Sequence, residues 1–206
     1  YRQSRSKSES TFYNFPLFLK IWISDRFLNQ EPLNARLPWM PYSVIFALHS
    51  LIKKDFKIFE TGSGGSSLFF LDRCRKLVSL EHDKKWIKKM NLLNTKVSIN
   101  KSWTLIHRNL HSNSQSSSSP YLEYLDTLEN STFDLVSIDG RLRSQSLKIL
   151  SIKIKSGGYI LLDNSDRKEY SEGIQFLYNL NFKKTLFRGL CYGLPWDSQA
   201  TLWQKD

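Results

Sequence analysis

The sequence contains only two cysteines, Cys74 and Cys191, among its 206 residues. Two are too few for a disulfide framework or a four-cysteine zinc site, so we expect both to be ordinary thiols. The sequence also lacks any apolar run of the roughly 18–20 residues that a membrane span requires. The longest candidate, residues 15–23, is interrupted by Pro16 and Lys20. We therefore expect a cytoplasmic protein with no transmembrane segment. The first residue is Tyr1 rather than Met, which leaves room for an upstream piece and a targeting signal within it.

Acidic residues are in the minority, with 19 Asp and Glu against 30 Lys and Arg and a formal net charge of +11. This excess is compatible with an anionic partner: a nucleic acid, a phosphorylated substrate or a membrane surface. Hydrophobic residues make up 40% and aromatic residues 14% of the chain, which excludes a wholly disordered protein. The length is that of one ordinary domain with a full hydrophobic core.

The chain divides into three parts by composition. Residues 1–10 are polar and basic, and we predict a disordered tail. Residues 11–54 carry apolar residues at helical spacing and are broken by two prolines near residue 40, which predicts an N-terminal helical cap. Residues 55–206 form the main domain. Within it, the serine-rich segment 112–119 is typical of a flexible surface loop.

From residue 56 onward, short apolar runs alternate with helical stretches. This alternation predicts an α/β fold: a doubly wound, mostly parallel sheet with helices on both faces. The last two strands are close in sequence and predict an antiparallel hairpin at one edge. We predict strands at 57–60, 76–81, 103–107, 133–139, 158–163, 183–188 and 200–204, and helices at 66–74, 84–94, 142–152 and 169–180.

A glycine-rich turn follows the first predicted strand of the main domain. Glu60 lies two positions before Gly62, and the turn runs through Gly65 into a helix. Glycines allow the backbone to approach a ligand closely, and a helix N-terminus offers free N–H groups. The second strand ends at Glu81, about 20 residues on, where an acid can accept both ribose hydroxyls of an adenosine ligand. Together these features indicate a nucleoside-containing cofactor.

This pattern resembles the first motif of the class I S-adenosylmethionine-dependent methyltransferases, an acidic residue followed by Gly-x-Gly-x-Gly. The third glycine position holds Ser66 here. The resemblance implies a seven-stranded sheet with an antiparallel last strand and S-adenosylmethionine as cofactor. It implies that Glu60 and the turn surround the methionine part, and that Glu81 holds the ribose. The cofactor residues it implies are Glu60, Gly62, Ser63, Gly64, Gly65, Ser66, Glu81, His82, Arg108 and Asp139.

Other nucleotide-binding motifs fit this turn less well. A dinucleotide oxidoreductase would have a glycine where Ser67 stands. A phosphate-binding loop of the Walker A type would have Gly-Lys followed by Ser or Thr, and this is absent.

Polar residues follow the fourth and fifth strands of the main domain. Asp139, Asp163 and Asn164 are similar in type and placement to the Mg²⁺ ligands of the catechol-type, metal-dependent O-methyltransferases. Three oxygen donors with added waters suit a hard, octahedral ion that lowers the pKa of a bound hydroxyl. A metal-free polar active site is the alternative, in which Asp139 contacts the substrate or acts as a general base. In either case we predict these three residues to be catalytic.

Several residues flank these acids and are candidates for binding the methyl acceptor. Three arginines suit a phosphate, sulfate or carboxylate group, although each of them could instead pair with a nearby acid. An aromatic loop between the last two strands could form a wall of the same pocket, together with Trp39 and Tyr42 of the cap. The predicted substrate residues are Arg141, Arg143, Arg167, Tyr192 and Trp196.

We therefore expect a methyltransferase that acts on a hydroxyl of a small or saccharide-like acceptor, with an anionic acceptor as one option. Two alternatives stay open: a nucleic-acid methyltransferase, favoured by charge alone, and a non-catalytic binding protein with the same fold. The lysines of Lys84–Lys89 lie at i, i+4 spacing on one side of a predicted helix. A phosphate backbone could follow such a face, but we expect it to be solvated.

Overall fold

The strands of the central sheet carry apolar residues on both faces, as expected for a sheet covered by helices on both sides. In a computed structural model, which describes residues 10–12, 19–20, 22–24, 31–97, 102–111 and 119–206, they form one sheet. Ile58 and Phe59 alternate between its two faces, and both are fully buried. The strands are β1 (Ser10–Phe12), β2 (Lys57–Thr61), β3 (Lys76–Glu81), β4 (Ser102–His107), β5 (Phe133–Ile138), β6 (Ile154–Asp163), β7 (Lys183–Leu190) and β8 (Asp197–Gln204).

Helices cover both faces of this sheet. They are α1 (Pro32–Ala35), α2 (Tyr42–Leu51), α3 (Gly65–Leu71), α4 (Lys84–Val97), α5 (Pro120–Thr127), α6 (Arg143–Leu150) and α7 (Ser171–Asn179), with a 3₁₀ turn at Lys168–Tyr170. On one face, Leu48, Phe69 and Met90 pack into a core shared by α2, α3 and α4. On the other face, Leu125 and Leu147 belong to a core built with α5, α6 and α7.

The strand order, β1-β7-β8-β6-β5-β2-β3-β4, reverses direction between β2 and β5. From β2 the chain moves outward through β3 to β4, and it then returns to the other side of β2 to form β5. Strands β2 to β6 are mutually parallel, so their carboxyl ends share one edge of the sheet. Ligands of open α/β sheets bind at such a switch point. The fold therefore places the glycine turn after β2 beside Asp139 after β5.

The predicted fold class is confirmed: the sheet is doubly wound and mostly parallel, and β7 and β8 form an antiparallel hairpin. Strand β8 lies inside the sheet, antiparallel to both β6 and β7. The structure adds an eighth strand, because β1 pairs in parallel with β7. Its first residue, Ser10, falls in the predicted tail. A three-residue strand is too short to show an alternating pattern.

The sequence analysis does not predict helix α5. Helix α5 begins directly after the serine-rich segment, of which 112–118 lie outside the described residues. Its start has two recognisable signals: Ser119 at the N-cap and Pro120 at the first helical position. The sequence predicts Ser119 as the last residue of the serine-rich loop, whereas in the structure it is the N-cap residue of α5.

Other sequence predictions fall partly outside the described residues. Residues 1–9 of the tail lie there, as does much of the first half of the predicted cap, of which residues 19–20 and 22–24 are described and helical. The cap boundary at residue 54 stays a prediction. Within the described part of the chain, every helix is too short or too polar to cross a membrane.

A buried lysine connects the end of α5 to the sheet through hydrogen bonds. Lys153, just before β6, is 5% exposed. Its ammonium donates to the carbonyl oxygens of Asp126 and Leu128 at 3.0 and 2.6 Å, and to Asn130 Oδ1 at 2.9 Å. A buried cation with three acceptors is satisfied; without it, the acceptors lose their partner.

We expect Lys153→Met to lower the free energy of unfolding by about 2–4 kcal/mol, because it leaves buried oxygens without a donor. Urea denaturation measures this loss. Lys155→Met is the control, since Lys155 bonds to Asp134 at 2.7 Å with its side chain 40% exposed and should cost less than about 1 kcal/mol. Equal losses in the two variants would contradict this assignment.

Candidate functional site

A cavity of about 780 Å³ opens at the carboxyl ends of β2, β3 and β5. Its volume lies in the range of small-molecule and cofactor sites, roughly 300–1,000 Å³. The wall combines the glycine turn, the end of β3, the loop after β5 and the N-terminal segment around α1. The lining residues are Glu31, Pro32, Leu33, Trp39, Gly62, Ser63, Gly64, Gly65, Ser66, Glu81, His82, Trp86, Asp139, Gly140, Arg141, Arg143 and Gly193.

The glycine turn is shaped by contact with the loop after β5. Gly62 has φ +83°, a conformation that favours glycine, and a Cβ there would lie 3.2 Å from the backbone nitrogen of Gly140. The Gly140 N–H donates to Thr61 Oγ1 at 3.2 Å. These two loops therefore lie too close together for larger residues. Their backbones form the floor of the cavity.

Gly65 lines the cavity and also makes a close contact with the N-terminal segment. A Cβ on Gly65 would clash with the carbonyl oxygens of Pro32 and Leu37. The N-terminal segment therefore packs directly on the start of α3. Because Pro32, Leu33 and Trp39 line the cavity, this segment forms its outer wall. Sequence reasoning offered no signal for Pro32 or Leu33, since the contact joins distant parts of the chain.

The carboxylate of Glu60 lies behind the turn rather than in the cavity. It is 1% exposed and accepts hydrogen bonds from three hydroxyls: Ser66 at 2.9 Å, Ser79 at 2.6 Å, and Ser67. Burial raises the pKa of Glu60 to about 7, and the hydroxyls oppose this rise. Trp103 Nε1 donates to Ser79 at 2.9 Å and extends the network. Glu60 thus stabilises the turn from the side that faces away from the cavity. Its direct contact with a cofactor stays a prediction.

Glu81 faces the cavity and binds the turn at the same time. One carboxylate oxygen accepts from Ser63 N–H and Oγ at 3.1 and 3.0 Å. The other accepts from the N–H groups of His82 and Asp83, and His82 Nδ1 lies 2.9 Å from it. Trp86 Nε1 donates to Ser63 O at 2.8 Å, so its ring stands beside the turn. The sequence predicted Glu81 at this place but not Trp86.

Arg143 connects the polar residues that follow β5 and β6. It is 8% exposed, and its guanidinium makes five hydrogen bonds. The acceptors are Asp139 Oδ1 at 2.6 Å, Asp139 O at 2.7 Å, Gly140 O at 3.0 Å, Asp163 O at 2.6 Å and Asn164 Oδ1 at 3.3 Å. Asp163 Oδ2 lies 3.9 Å away. Of the two roles predicted for Arg143, the ion-pair role is observed.

The two carboxyl groups held by Arg143 influence each other. Burial raises the pKa of Asp163 well above its usual value, and the charge of Asp139 raises it further. Burial also raises the pKa of Asp139, while Arg143 opposes that rise. Apart from its contact with Asp139, Asp163 Oδ1 has no hydrogen-bond partner among the described residues. The pair is therefore suited to an ionised Asp139 beside a protonated Asp163.

The arrangement does not fit the predicted Mg²⁺ site. The three predicted ligands, Asp139, Asp163 and Asn164, converge on the guanidinium of Arg143, which is itself a cation. A divalent ion bound to the same oxygens would meet like-charge repulsion. The described part of the chain also contains no cluster of three or more His, Cys, Asp or Glu side chains suited to a metal.

A second cavity, of about 450 Å³, adjoins the first. Trp39, Asp139 and Arg143 line both cavities and so stand between them. The other lining residues of the second cavity are Asp163, Asn164, Asp166, Arg167, Leu194, Trp196, Asp197 and Ser198. The predicted residues Arg167 and Trp196 therefore lie here, while Arg141 is exposed and lines the first cavity.

Besides Glu60, two predicted site residues lie away from both cavity walls. Tyr192 is 2% exposed and packs edge-on against Tyr42, with ring centroids 6.2 Å apart, so it belongs to the core. Arg108 stacks on Tyr124 at 4.9 Å and donates to the carbonyl oxygen of His107 at 2.7 Å. Its direction is set by α5, the helix that the sequence analysis missed.

Comparison with known proteins identifies the fold. No family model and no curated protein matches the sequence. An S-adenosylmethionine-dependent O-methyltransferase from Thermotoga maritima aligns with a TM-score of 0.61 and 15% identity over 86% of this chain and 71% of its own. An rRNA methylase from Streptococcus thermophilus aligns with a TM-score of 0.57 and 14% identity over 79% and 95%.

The chain has the class I methyltransferase fold. A spermidine synthase from Thermotoga maritima shares it, with a TM-score of 0.55 and 15% identity over 76% of this chain. This chain spans about half the length of that enzyme, 55%. Proteins with this class I methyltransferase fold thus include an O-methyltransferase, an rRNA methylase and a spermidine synthase. The reaction must therefore be argued from the residues of the site.

Glu60 should make stability depend on pH. Its pKa rises from 4.5 to about 7 on folding, so the folded protein binds more protons between these values. Its contribution to the free energy of unfolding therefore falls as pH rises through this window, by about 3 kcal/mol in total. Glu60→Gln should lack this fall. The measurement is urea denaturation at about pH 5 and pH 8, with the exposed Glu123→Gln as control; parallel pH profiles of wild type and Glu60→Gln would refute it.

Arg143 should be needed for stability because it neutralises buried oxygens. We expect Arg143→Gln to lower the free energy of unfolding by about 3–5 kcal/mol, the usual cost of removing one partner from a buried pair. Arg36→Gln is a matched control, since Arg36 pairs bidentately with Asp72 on the surface and should cost about 1 kcal/mol or less. Thermal and urea unfolding compare the two, and a loss at Arg143 as small as that at Arg36 would show that the cluster tolerates an unpaired Asp139.

Proposed function

We propose that this protein is an S-adenosylmethionine-dependent methyltransferase that methylates a hydroxyl group of a small acceptor. One observation carries the proposal: two cavities of unequal size share Trp39, Asp139 and Arg143 as their common wall. Group transfer between two bound molecules requires adjoining sites with the reacting atoms in line. The larger cavity suits the cofactor and the smaller one the acceptor.

The residues of the larger cavity suit a nucleoside cofactor with a charged amino-acid tail. The turn between Gly62 and Ser66 presents backbone at the floor, and Glu81 stands at the end of β3, where an acid accepts ribose hydroxyls. Trp86 adds an aromatic wall beside Ser63. When bound, S-adenosylmethionine supplies a methyl group from a positively charged sulfur, and that sulfur becomes a neutral thioether once the methyl group is transferred.

The residues of the smaller cavity suit an acceptor that must lose a proton. Asp139 lies on the wall shared with the cofactor cavity, and Arg143 fixes its carboxylate at 2.6 Å. We assign Asp139 as the general base that takes the proton of the acceptor hydroxyl as the new O–C bond forms. Asp163, behind it, holds a hydrogen bond to the acceptor or to Asp139. Asn164, with φ +52° and its Oδ1 on Arg143, orients the same loop.

The positive charge of the chain does not point to a nucleic-acid acceptor. The lysines of the predicted basic face, Lys84, Lys85, Lys88 and Lys89, are exposed along α4, whereas Ile87 and Met90 are buried against the sheet. The second cavity instead contains four aspartates. A phosphate backbone would meet these acids at the very place where the methyl group must be transferred.

Loss of Glu81 should weaken cofactor binding. We expect isothermal calorimetry to detect binding of S-adenosylhomocysteine to the wild type. Glu81→Gln, which keeps the shape of the side chain but removes the charge that ribose hydroxyls bind, should weaken it at least tenfold, or about 1.4 kcal/mol. Glu123→Gln, on the exposed side of α5, is the matched control. No heat with the wild type for either S-adenosylmethionine or S-adenosylhomocysteine would overturn the proposed function.

A further inference from the structure

We propose that the second cavity binds a neutral, polyhydroxylated ring such as a sugar unit, with Trp39 and Trp196 as its apolar walls. The inference rests on the proposed function, because it takes the second cavity as the acceptor site. It narrows the acceptor class that the sequence left open, between a neutral and an anionic molecule.

The two tryptophans are the first argument. Trp39 is 51% exposed and Trp196 is 60% exposed, and both line the second cavity. Large aromatic rings exposed at a cavity mark a ligand surface more often than a random surface position. A sugar ring presents an apolar C–H face that packs on an indole, while its hydroxyls point outward to polar partners. The cavity therefore offers the apolar half of a sugar site.

The position of Trp39 is set by the backbone of a neighbouring loop. Gly193 has φ +72°, and a Cβ there would lie 3.0 Å from Trp39 Nε1. The absence of a side chain at residue 193 lets the indole lie against this loop. Leu194 follows and lines the same cavity. Because Trp39 also lines the cofactor cavity, a ring packed on it would lie next to the transferred group.

The polar groups opposite the tryptophans are the second argument. Asp163 is 3% exposed, lines the cavity and bonds to Asp139, and its Oδ1 accepts no hydrogen bond from the described residues. A protonated carboxyl that donates to Asp139 keeps acceptor lone pairs, so a ligand hydroxyl can donate to it. Asn164 Nδ2 donates to Ser198 Oγ at 3.3 Å, and both residues line the wall. These are partners for several hydroxyl groups spaced around a ring.

The charges of the wall are the third argument, and they disfavour an anion. Arg143 is committed to Asp139 and Asp163. Asp197 is paired with Arg188 at 2.8 Å. The remaining charged residues of the lining, Asp166 and Arg167, have opposite signs.

The wall therefore carries no surplus of positive charge with which to hold a phosphate or carboxylate. Of the three arginines that suggested an anionic acceptor, Arg143 is used internally and Arg141 lines the other cavity. Arg167 lies 3.9 Å from Glu169. The four acids of the lining are offset by Arg143, by Arg167, by Arg188 at Asp197 and by the proton on Asp163, so the wall is nearly neutral and suits a neutral molecule.

Saturation-transfer NMR on the protein loaded with S-adenosylhomocysteine tests this inference. The probes are the methyl glycosides of glucose, galactose, mannose and rhamnose, with glucose 6-phosphate, glucuronate and glucosamine as charged counterparts. We expect at least one neutral glycoside to receive saturation on its ring protons and to bind at least tenfold more tightly than each charged probe. Trp196→Ala should weaken that binding at least tenfold, because it removes the surface on which the ring packs.

The matched control is Tyr178→Ala, which removes an aromatic ring that is 61% exposed on α7, outside both cavities. It should leave glycoside binding unchanged. The inference fails if no neutral glycoside binds, if a charged probe binds as tightly, or if Trp196→Ala binds like the wild type. Calorimetry with S-adenosylhomocysteine on the same sample separates the two proposals. If the nucleoside binds and the glycosides do not, only the acceptor class is wrong; if the nucleoside does not bind, the proposed function is wrong.

Discussion

The guanidinium of Arg143 holds together the two chain segments that leave the sheet at β5 and β6. The carboxyl ends of parallel strands bring Asp139 and Asp163 to one place, where burial opposes the ionisation of both. Two carboxyl groups so close together do not both ionise: Asp163 keeps its proton, and the charge of Asp139 needs a counter-charge. Arg143, from the first turn of α6, supplies it, and its remaining N–H groups bind the backbone oxygens of the same two loops. The shape of the wall between the two cavities follows from this one side chain.

Glu60 is also a buried carboxyl group, but different groups stabilise it. It is as deeply buried as Asp163, but its partners are hydroxyls rather than a cation. The hydroxyls oppose the rise in the pKa of Glu60, but they carry no charge, so burial still raises that pKa to about 7. The glycine turn thus rests on an acid whose partners are uncharged, while the wall between the two cavities contains the ion pair of Arg143 with Asp139.

Much of the fold could be predicted from the sequence, since local patterns carry it. Alternating apolar runs predicted the strands β2 to β8, and the glycine turn with Glu81 predicted the edge of the sheet at which the first cavity opens. What was missed depends on contacts between distant segments. The burial of Tyr192 against Tyr42 and the stacking of Arg108 on Tyr124 are decided by packing across the sheet, which no short window contains.

The role of Arg143 illustrates the limit most clearly. Its residue type and its nearness to Asp139 were visible, but two interpretations were open: a clamp for an anionic substrate and a partner for the acids. The choice depends on the direction of the side chain from α6, and that direction is fixed by the carbonyl oxygens of Gly140 and Asp163. The same fact removes the predicted metal site, because the cation that these oxygens need is already part of the chain.

Net charge and local charge also separate in this molecule. The chain carries a net charge of +11, yet the lysines of α4 lie along an exposed face of that helix. Lys153 donates its hydrogen bonds to buried oxygens, and Arg143 forms an ion pair with Asp139. Whole-chain charge acts on distant partners and is screened within about 10 Å at moderate salt. Binding inside a cavity depends instead on the groups that line it, and those are nearly balanced. A strongly basic protein can therefore present a nearly neutral cavity, and the kind of molecule that fits there depends on how the few charges of its wall are paired.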